Sequence, residues 1–246
     1  MRTLLISDLH ANLYALEAVL ADAEGKYDQI ICCGDLVGYN PHPAPVLEWT
    51  RQHCSYVVRG NHDKVVSGID DLDWFNDIAK EAARWTIAVL SDDQRTYLRD
   101  LPRGPQTIGP LQIWHGSLRD EDEYVLSKGT AAPSFPLMET PIGFFGHTHL
   151  QGGYFSKYGR VGVIGQVRKG QTESVFELEP DLVYMVNPGS VGQPRDQDPR
   201  AAYAIHDSDQ KTVTLRRVSY PAHRTAEDIR RTGLPDVLAI RLIMGV

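Results

Sequence analysis

The chain has 246 residues, of which 42% are hydrophobic, and it carries a formal net charge of -7 at pH 7. That length and apolar content allow a sizeable core, and we expect a single domain over residues 1–246. The acidic balance and the lack of a dense run of Lys or Arg argue against an extended nucleic-acid duplex as a partner.

The first half of the chain predicts alternating strands and helices. The apolar run from Arg2 to Ile6 predicts a strand, and because it breaks at Ser7, neither a signal peptide nor a membrane span is expected. Asn12 is a candidate cap for the helix that follows. Further strands are predicted over 28–35 and 55–58, with a helix around 46–49 between them. Such strand-helix-strand units pair their strands in parallel.

The second half predicts a further set of strands and helices. Helices are predicted over 74–90 and 91–101, and in two pieces over 225–243. Strands are predicted on both sides of Gly109-Pro110 and over 142–145. Hairpins are predicted over 154–186, with turns at Lys157-Tyr158-Gly159 and Lys169-Gly170. A further hairpin is predicted around 207–210. Segment 118–140 is predicted to be loop and short helix that shapes substrate access. The predicted fold class is α/β (α+β), with two sheets packed face to face and helices outside.

The cysteines indicate a reducing compartment. The chain has three, and Cys32 and Cys33 lie side by side in a predicted buried strand, which does not make a disulfide framework. We therefore expect a cytoplasmic protein.

Polar side chains follow the predicted strands at the points where the strands end. Gly34 allows a sharp turn that delivers Asp35 at the carboxyl end of a strand, where ligands bind in α/β sheets. The other strand ends carry Asp8, His10, Asn61, His62, His115, His147 and His149. At an extended strand end, the side chains of residues i and i+2 point to the same side, so Asp8 and His10 are expected to bind one ion. Oxygen and imidazole ligands without Cys suit a catalytic centre of Mn, Fe, Zn or Co.

Taken together, the motifs resemble those of the calcineurin-like metallophosphoesterase superfamily over residues 3 to about 206. The motifs are Asp8-x-His10, Gly34-Asp35, Gly60-Asn61-His62-Asp63, His115 and Gly146-His147-x-His149. The resemblance implies two mixed sheets flanked by helices, and two divalent transition metal ions, with Mn favoured and Fe, Zn, Co or Ni as alternatives. It implies that one ion takes Asp8, His10, Asp35 and His149, and that the second takes Asp35, Asn61, His115 and His147. Asp35 is then the shared ligand.

Catalytic and substrate-binding roles are expected of further residues. Two ions about 3.5–4 Å apart can hold a bridging hydroxide as nucleophile, so no protein nucleophile is needed. His62 is expected to serve the leaving group as a general acid, with Asp63 orienting it, and Arg59 is expected to contact phosphate, as in Ser/Thr protein phosphatases. The substrate-contacting or supporting candidates are Asn12, Ser190 and Arg195.

The expected function is hydrolysis of small phosphodiesters, some of them nucleotide-derived. The residues 36–39 after Asp35 replace the Asp-Arg-Gly sequence of Ser/Thr protein phosphatases, and the chain instead resembles compact bacterial and archaeal phosphodiesterases. A phosphomonoesterase or protein phosphatase is the alternative within enzymes. A non-catalytic binding scaffold such as the retromer subunit, and a DNA-repair nuclease, are the other classes considered. The sequence leaves the oligomeric state open.

Overall fold

The computed structural model describes residues 1–246, and it contains two six-stranded sheets with helices outside them. The strands are β1 (Arg2–Ile6), β2 (Gln29–Cys32), β3 (Tyr56–Val57), β4 (Gln106–Ile108), β5 (Leu111–Ile113), β6 (Ile142–Phe144), β7 (Gly152–Lys157), β8 (Arg160–Ile164), β9 (Glu173–Glu177), β10 (Val183–Asn187), β11 (Ala201–Asp207) and β12 (Thr212–Val218). The helices are α1 (Leu13–Ala23), α2 (Pro43–His53), α3 (Asn61–Ser67), α4 (Asp77–Val89), α5 (Asp92–Asp100), α6 (Lys128–Ala131), α7 (Ala222–Thr232) and α8 (Asp236–Met244), with a 3-10 turn over Ala132–Leu137. The predicted fold class is confirmed.

Both sheets combine parallel and antiparallel strands. The strand order is β3-β2-β1-β11-β12-β9 in the first sheet and β4-β5-β6-β10-β7-β8 in the second. β1, β2 and β3 run parallel, as do β5, β6 and β10, and the other neighbours are antiparallel. The parallel strands of each sheet therefore deliver their carboxyl ends to one edge, where ligands bind in α/β sheets.

Alternate residues of β1 enter two different cores. Leu4 and Ile6 belong to the core beneath the helices, whereas Leu5 belongs to the core between the sheets, together with Phe144 and Val186. All five side chains are fully buried. Strands that are buried on both faces read as continuous apolar runs, which explains why the sequence of β1 shows no polar alternation.

The outer layers lie against the edge that carries the polar side chains. Helices α4, α7 and α8 share an apolar cluster that includes Tyr39, from the loop after β2. The segment from Leu118 to Met138 packs over the other sheet, on Trp114 and Phe145. As predicted, this segment is loop with a short helix, α6. None of the helices has the length and hydrophobicity needed to cross a membrane.

One predicted hairpin does not form. The sequence predicts a turn at Lys169-Gly170 within a run of hairpins. The turn itself forms, with Gln171 N–H donating to Arg168 O at 3.0 Å, and the hairpin of β7 and β8 is confirmed. However, β9 pairs with β12 of the first sheet, so the chain changes sheet between Ile164 and Glu173. The β-pattern of a strand does not encode which sheet it joins, because that choice depends on partners far away in sequence. The hairpin of β11 and β12 and the two C-terminal helices are confirmed.

Replacing Leu5 by alanine should test the core between the sheets. Leu5 is fully buried, so truncating its side chain should lower the free energy of unfolding by about 2–5 kcal/mol. Val175 of β9 is 56% exposed, and Val175→Ala should change stability by less than about 0.5 kcal/mol. Urea unfolding of the two variants measures both values. Equal costs would contradict a shared core at Leu5.

Candidate metal centre

The candidate ligands lie directly after the parallel strands of both sheets. Asp8 and His10 follow β1, Asp35 follows β2, and Asn61 begins α3 after β3. His115 follows β5, and His147 and His149 follow β6. The structure brings the two edges together, so the seven side chains meet although they come from different sheets.

The backbone that carries these side chains is left-handed rather than extended. Positive φ angles between 43° and 66° occur at Asp8, His10, Asp35, His147 and His149. The predicted extended i, i+2 geometry is therefore wrong, since β1 already ends at Ile6. Such angles cost non-glycine residues on the order of 1–3 kcal/mol each, and they concentrate at functional sites. Two backbone bonds hold the loops in place: Asp8 N to Gly34 O and His10 N to Asp35 O, both at 2.9 Å.

The candidate ligands form two groups that share Asp35. Ligand atoms of Asp8, His10, Asp35 and His149 lie within 4.8 Å of one another, and so do those of Asp35, His115 and His147. Asp35 Oδ2 lies 3.5 Å from His10 Nε2 and 3.4 Å from His115 Nε2. A single carboxylate oxygen thus faces both groups. Asn61 Oδ1 lies 3.4 Å from His115 Nε2, which adds an amide oxygen to the second group.

Glycine at position 60 is required by the shared carboxylate. A Cβ on Gly60 would lie 2.1 Å from Asp35 Oδ1, closer than any side chain can approach. Asp35 Oδ1 instead accepts the backbone N–H of His62 at 2.9 Å. This contact fixes the carboxylate and leaves Oδ2 directed at the histidines.

Backbone carbonyl groups determine which imidazole nitrogen is free. Three histidines donate Nδ1–H to a carbonyl oxygen: His10 to Val37 at 2.9 Å, His115 to Cys33 at 2.7 Å, and His149 to Gln193 at 2.6 Å. A neutral imidazole that donates through Nδ1 keeps its lone pair on Nε2. His147 donates Nε2–H to Asp122 O at 2.9 Å, so its free nitrogen is Nδ1. Carbonyl groups orient metal-binding histidines in this way.

The donor set of the first group fits a cation. His10 Nε2 and His149 Nε2 lie 3.0 Å apart, and the carbonyl bonds leave a lone pair on each. Asp8 Oδ2 is buried and has no hydrogen-bond partner, which costs about 1–3 kcal/mol or more for an acceptor. Asp8 Oδ1 lies 3.4 Å from His149 Nε2. A carboxylate oxygen and two imidazole lone pairs at these distances repel each other, whereas a divalent cation binds all of them. These residues therefore fit a metal ion.

Burial dominates the titration of most of these groups. It raises the pKa of Asp8 to about 7, lowers that of His10 to about 4 and lowers that of His147 to about 3. Burial also lowers the pKa of His115, but the negative charges of Asp35 and Asp8 outweigh burial and raise that pKa to about 10. Neutral imidazole is the form that binds metal, and a metal displaces the proton from a ligand such as His115.

His62 lies beside the candidate ligands without belonging to either group. Its ring packs 4.4 Å from Tyr39 and 4.5 Å from Phe75, measured between centroids, and edge-on to His10 at 4.9 Å. Burial lowers the pKa of His62 to about 3, so the imidazole is neutral. Together with Asn61, it lines a cleft of about 450 Å³, from which it can reach a bound molecule.

Two other catalytic candidates make contacts that were not expected. Asp63 accepts backbone N–H groups from Leu36 and Gly60, each at 2.9 Å, and it makes no hydrogen bond with His62. Asp63 therefore ties two loops together rather than orienting the imidazole. Arg59 donates from Nε and Nη2 to the two carboxylate oxygens of Glu121, each at 3.1 Å. Its charge is thus already compensated within the protein.

Of the three candidates for substrate contact or support, two have purely supporting contacts. Asn12 accepts Ala15 N–H at the start of α1 and donates to Gly192 O at 2.9 Å. Ser190 donates to Asp8 O at 2.9 Å, behind the first group. Arg195 differs, because its backbone N–H lies 3.4 Å from His149 O and its guanidinium forms no ion pair.

Two aromatic residues lie at the site although no role was predicted for them from the sequence. Tyr39 packs 4.7 Å from the ring of His10, and Tyr124 stacks on His147 with 3.9 Å between centroids. Both line the cleft. The only signal for Tyr39 was its position in the loop after Asp35, and Tyr124 lies in a loop with no motif.

Comparison with known proteins agrees with this site. A family model described as the calcineurin-like phosphoesterase superfamily domain matches residues 1–211. An uncharacterized protein of Methanocaldococcus jannaschii is 32% identical over 260 aligned positions, covering 98% of this chain and 96% of that protein. The crystal structure of a metallophosphoesterase from Sphaerobacter thermophilus has a TM-score of 0.88 and 39% identity, covering 100% of this chain and 99% of that one. A hypothetical protein from Pyrococcus horikoshii has the same fold, with a TM-score of 0.77, 20% identity, and coverage of 100% and 98%.

The chain therefore belongs to the calcineurin-like phosphoesterase superfamily. Proteins of this family typically bind divalent metals, and the two groups around Asp35 are buried His and Asp clusters that could hold them.

Replacing Asp35 by asparagine should remove metal from both groups, because Oδ2 faces each of them. His149→Ala should deplete mainly the first group. Elemental analysis after dialysis against Mn²⁺ measures both, with His53→Ala on the exposed end of α2 as the control that keeps full metal content. Wild-type protein should also gain about 2.7 kcal/mol of stability when free Mn²⁺ is 100 times its Kd. Full metal content in Asp35→Asn would exclude a shared ligand.

Proposed function

We propose that the protein is a metal-dependent phosphodiesterase that hydrolyses small phosphodiesters. In this proposal one divalent ion is held by Asp8, His10, Asp35 and His149, and a second by Asp35, Asn61, His115 and His147, with Mn²⁺ the favoured metal. Bound divalent ions supply ionised water at neutral pH and neutralise charge on phosphoryl oxygens. The chain's own residues bind and orient the ester and stabilise the leaving group.

The charge of the cleft is the observation that carries the preference for diesters. The cleft lining includes Asp70, Asp71, Asp120 and Asp122 and contains no Lys or Arg. Lys64 is buried and pairs with Asp70 at 3.2 Å and with Asp122 at 2.5 Å. The carboxylates of Asp71 and Asp120 are therefore the ones without a basic partner. A phosphodiester carries one negative charge, whereas a monoester at neutral pH carries nearly two. The acidic wall therefore disfavours the monoester, and it also disfavours substrates with additional phosphates.

Arginine contacts support the same preference. Arg59 is committed to Glu121, so it does not supply a free positive charge to a phosphoryl group. Arg195 forms no ion pair and lies beside His149, which leaves one free guanidinium for the substrate. One cation suits a monoanionic diester.

The surroundings of His62 support a role at the leaving group. It lines the cleft beside Asn61, its ring is fixed between Tyr39 and Phe75, and no ligand group includes it. A neutral imidazole still carries one N–H, which can be donated to the leaving oxygen. We infer that His62 stabilises the leaving alkoxide by this donation.

We also infer that residues 1–246 act as one domain. β11 and β12 come late in the chain, yet β11 pairs with β1 in the centre of the first sheet. Tyr14 of α1 donates to Asp228 of α7, which joins the two ends of the chain. The cytoplasmic location stays a prediction from the cysteines.

A Mn²⁺-loaded enzyme should hydrolyse bis(p-nitrophenyl) phosphate faster than p-nitrophenyl phosphate. An extra negative charge about 10 Å from one carboxylate costs on the order of 1–2 kcal/mol at an effective dielectric constant of about 20, or about tenfold in kcat/KM. Asp71→Asn combined with Asp120→Asn should narrow the difference. Faster hydrolysis of the monoester would support a phosphomonoesterase, and efficient release of phosphate from phosphoserine peptides would support a protein phosphatase.

Replacing His62 by alanine should lower turnover by roughly 10²–10⁴-fold while metal content stays unchanged. The loss should be larger for alkyl than for nitrophenyl esters, because an alkoxide needs a proton donor more than a nitrophenolate does. Steady-state kinetics on a series of leaving groups, together with elemental analysis, measure both effects. An equal loss on all esters would point to phosphate binding, and a loss of metal would make His62 a ligand.

A further inference from the structure

Arg195 is a largely buried guanidinium without a negative partner. Its Nη2 donates to Tyr39 Oη at 3.2 Å and to Gln193 Oε1 at 3.1 Å, and both acceptors are neutral. Its Nε is buried without any hydrogen-bond partner. A buried charge that lacks compensation is costly, so such a group is expected to meet an anion.

Tyr39 presents a second donor at the same place. Its hydroxyl accepts from Arg195 and donates to no other group, so its own proton is free. A phenol has an ordinary pKa of about 10, so the hydroxyl keeps that proton at neutral pH. Tyr39 lines the cleft, and its ring is held between His10 and His62. Its φ of 63° is left-handed, which is rare for a bulky residue and typical of functional positions.

The two donors are fixed relative to the candidate metal ligands. The backbone N–H of Arg195 lies 3.4 Å from His149 O, and His149 Nδ1 donates to Gln193 O at 2.6 Å. Gln193 thus holds both the guanidinium of Arg195, through its side chain, and the imidazole of His149, through its backbone. A phosphoryl group bound at the centre would lie within reach of donors that do not need to reorganise.

We propose that Tyr39 and Arg195 form a clamp for one non-bridging oxygen of the phosphoryl group, with the Tyr39 hydroxyl donating to that oxygen. This inference rests on the proposed function and names the chemical class that the clamp accepts. The clamp offers one positive charge and one neutral hydrogen-bond donor, which match the single negative charge of a phosphodiester. Tyr39 is then a residue that touches substrate, and Gln193 is a positioning residue for Arg195.

Tyr39→Phe removes the donor and keeps the ring between His10 and His62, so the variant should fold and retain its metal. Its kcat on bis(p-nitrophenyl) phosphate should fall by roughly 10²–10³-fold, as for the loss of one preorganised donor. The loss should be the same for good and poor leaving groups, because the donor contacts an oxygen that does not leave. Tyr14→Phe, which removes the hydroxyl that donates to Asp228 outside the cleft, is the matched control and should keep full activity.

A double-mutant cycle tests whether the two donors act together. Tyr39→Phe combined with Arg195→Gln should lose little more activity than the more damaged single variant, because residues that act as a unit are not additive. Additive losses would overturn the clamp. So would unchanged kcat in Tyr39→Phe, a loss of metal from that variant, or a defect that grows with the pKa of the leaving group.

Binding of inorganic phosphate separates the clamp from the proposed function. Calorimetry on the Mn²⁺-loaded protein should give an affinity about tenfold or more weaker for Tyr39→Phe than for wild type or Tyr14→Phe. If wild-type protein hydrolyses no phosphoester with any metal but this difference is found, the clamp stands and the proposed function fails. If the wild-type protein hydrolyses diesters and phosphate binding is equal in all three proteins, the clamp fails and the proposed function stands.

Discussion

The structure depends on the position of one carboxylate, that of Asp35. Its Oδ1 is held by the backbone of His62, and its Oδ2 faces a histidine from each of the two groups. For this to happen, β2 must end beside β1 in one sheet, and β5 and β6 of the other sheet must end at the same place. The inter-sheet core therefore has a functional consequence, because it sets the distance between the two edges. Gly60 is small for the same reason, since any side chain there would displace the carboxylate.

The site contains features that lower the stability of the folded protein and that a sheet edge without a binding function would not need. Carboxylates and imidazoles are buried together, several of them on left-handed backbone, and Asp8 Oδ2 has no partner within the protein. Removing charged groups from water costs several kcal/mol per ion, so this arrangement is stable only if the charges are compensated. A cation bound between the groups provides that compensation. Metal binding is thus expected to contribute to folding stability as well as to chemistry.

Around this centre, charge distinguishes two regions, the pair formed by Arg195 and Tyr39 and the outer wall of the cleft. Near the centre, Arg195 and Tyr39 present donors that suit an anionic oxygen. Further out, Asp71 and Asp120 line the wall with no Lys or Arg among the lining residues. A substrate with its charge confined to one phosphoryl group satisfies both parts, whereas a polyanionic substrate satisfies only the first. In the proposed function, the candidate metal ligands give the class of chemistry, and the residues outside that set select the esters that are accepted.

The sequence by itself determined the elements and the side chains at their ends. Short apolar runs, glycine and the polar residues that follow predicted β1, β2 and the positions of Asp8 and Asp35, because burial and turn formation are local properties. Tertiary structure alone decided the rest. The left-handed backbone at His147 depends on a bond from its N–H to Asp8, 139 residues away, and the change of sheet before β9 depends on β12. The pairing of Arg59 with Glu121 and of Arg195 with Tyr39 likewise joins residues that are distant in sequence. Residue spacing does not predict such contacts, since they form only when both sheets are packed.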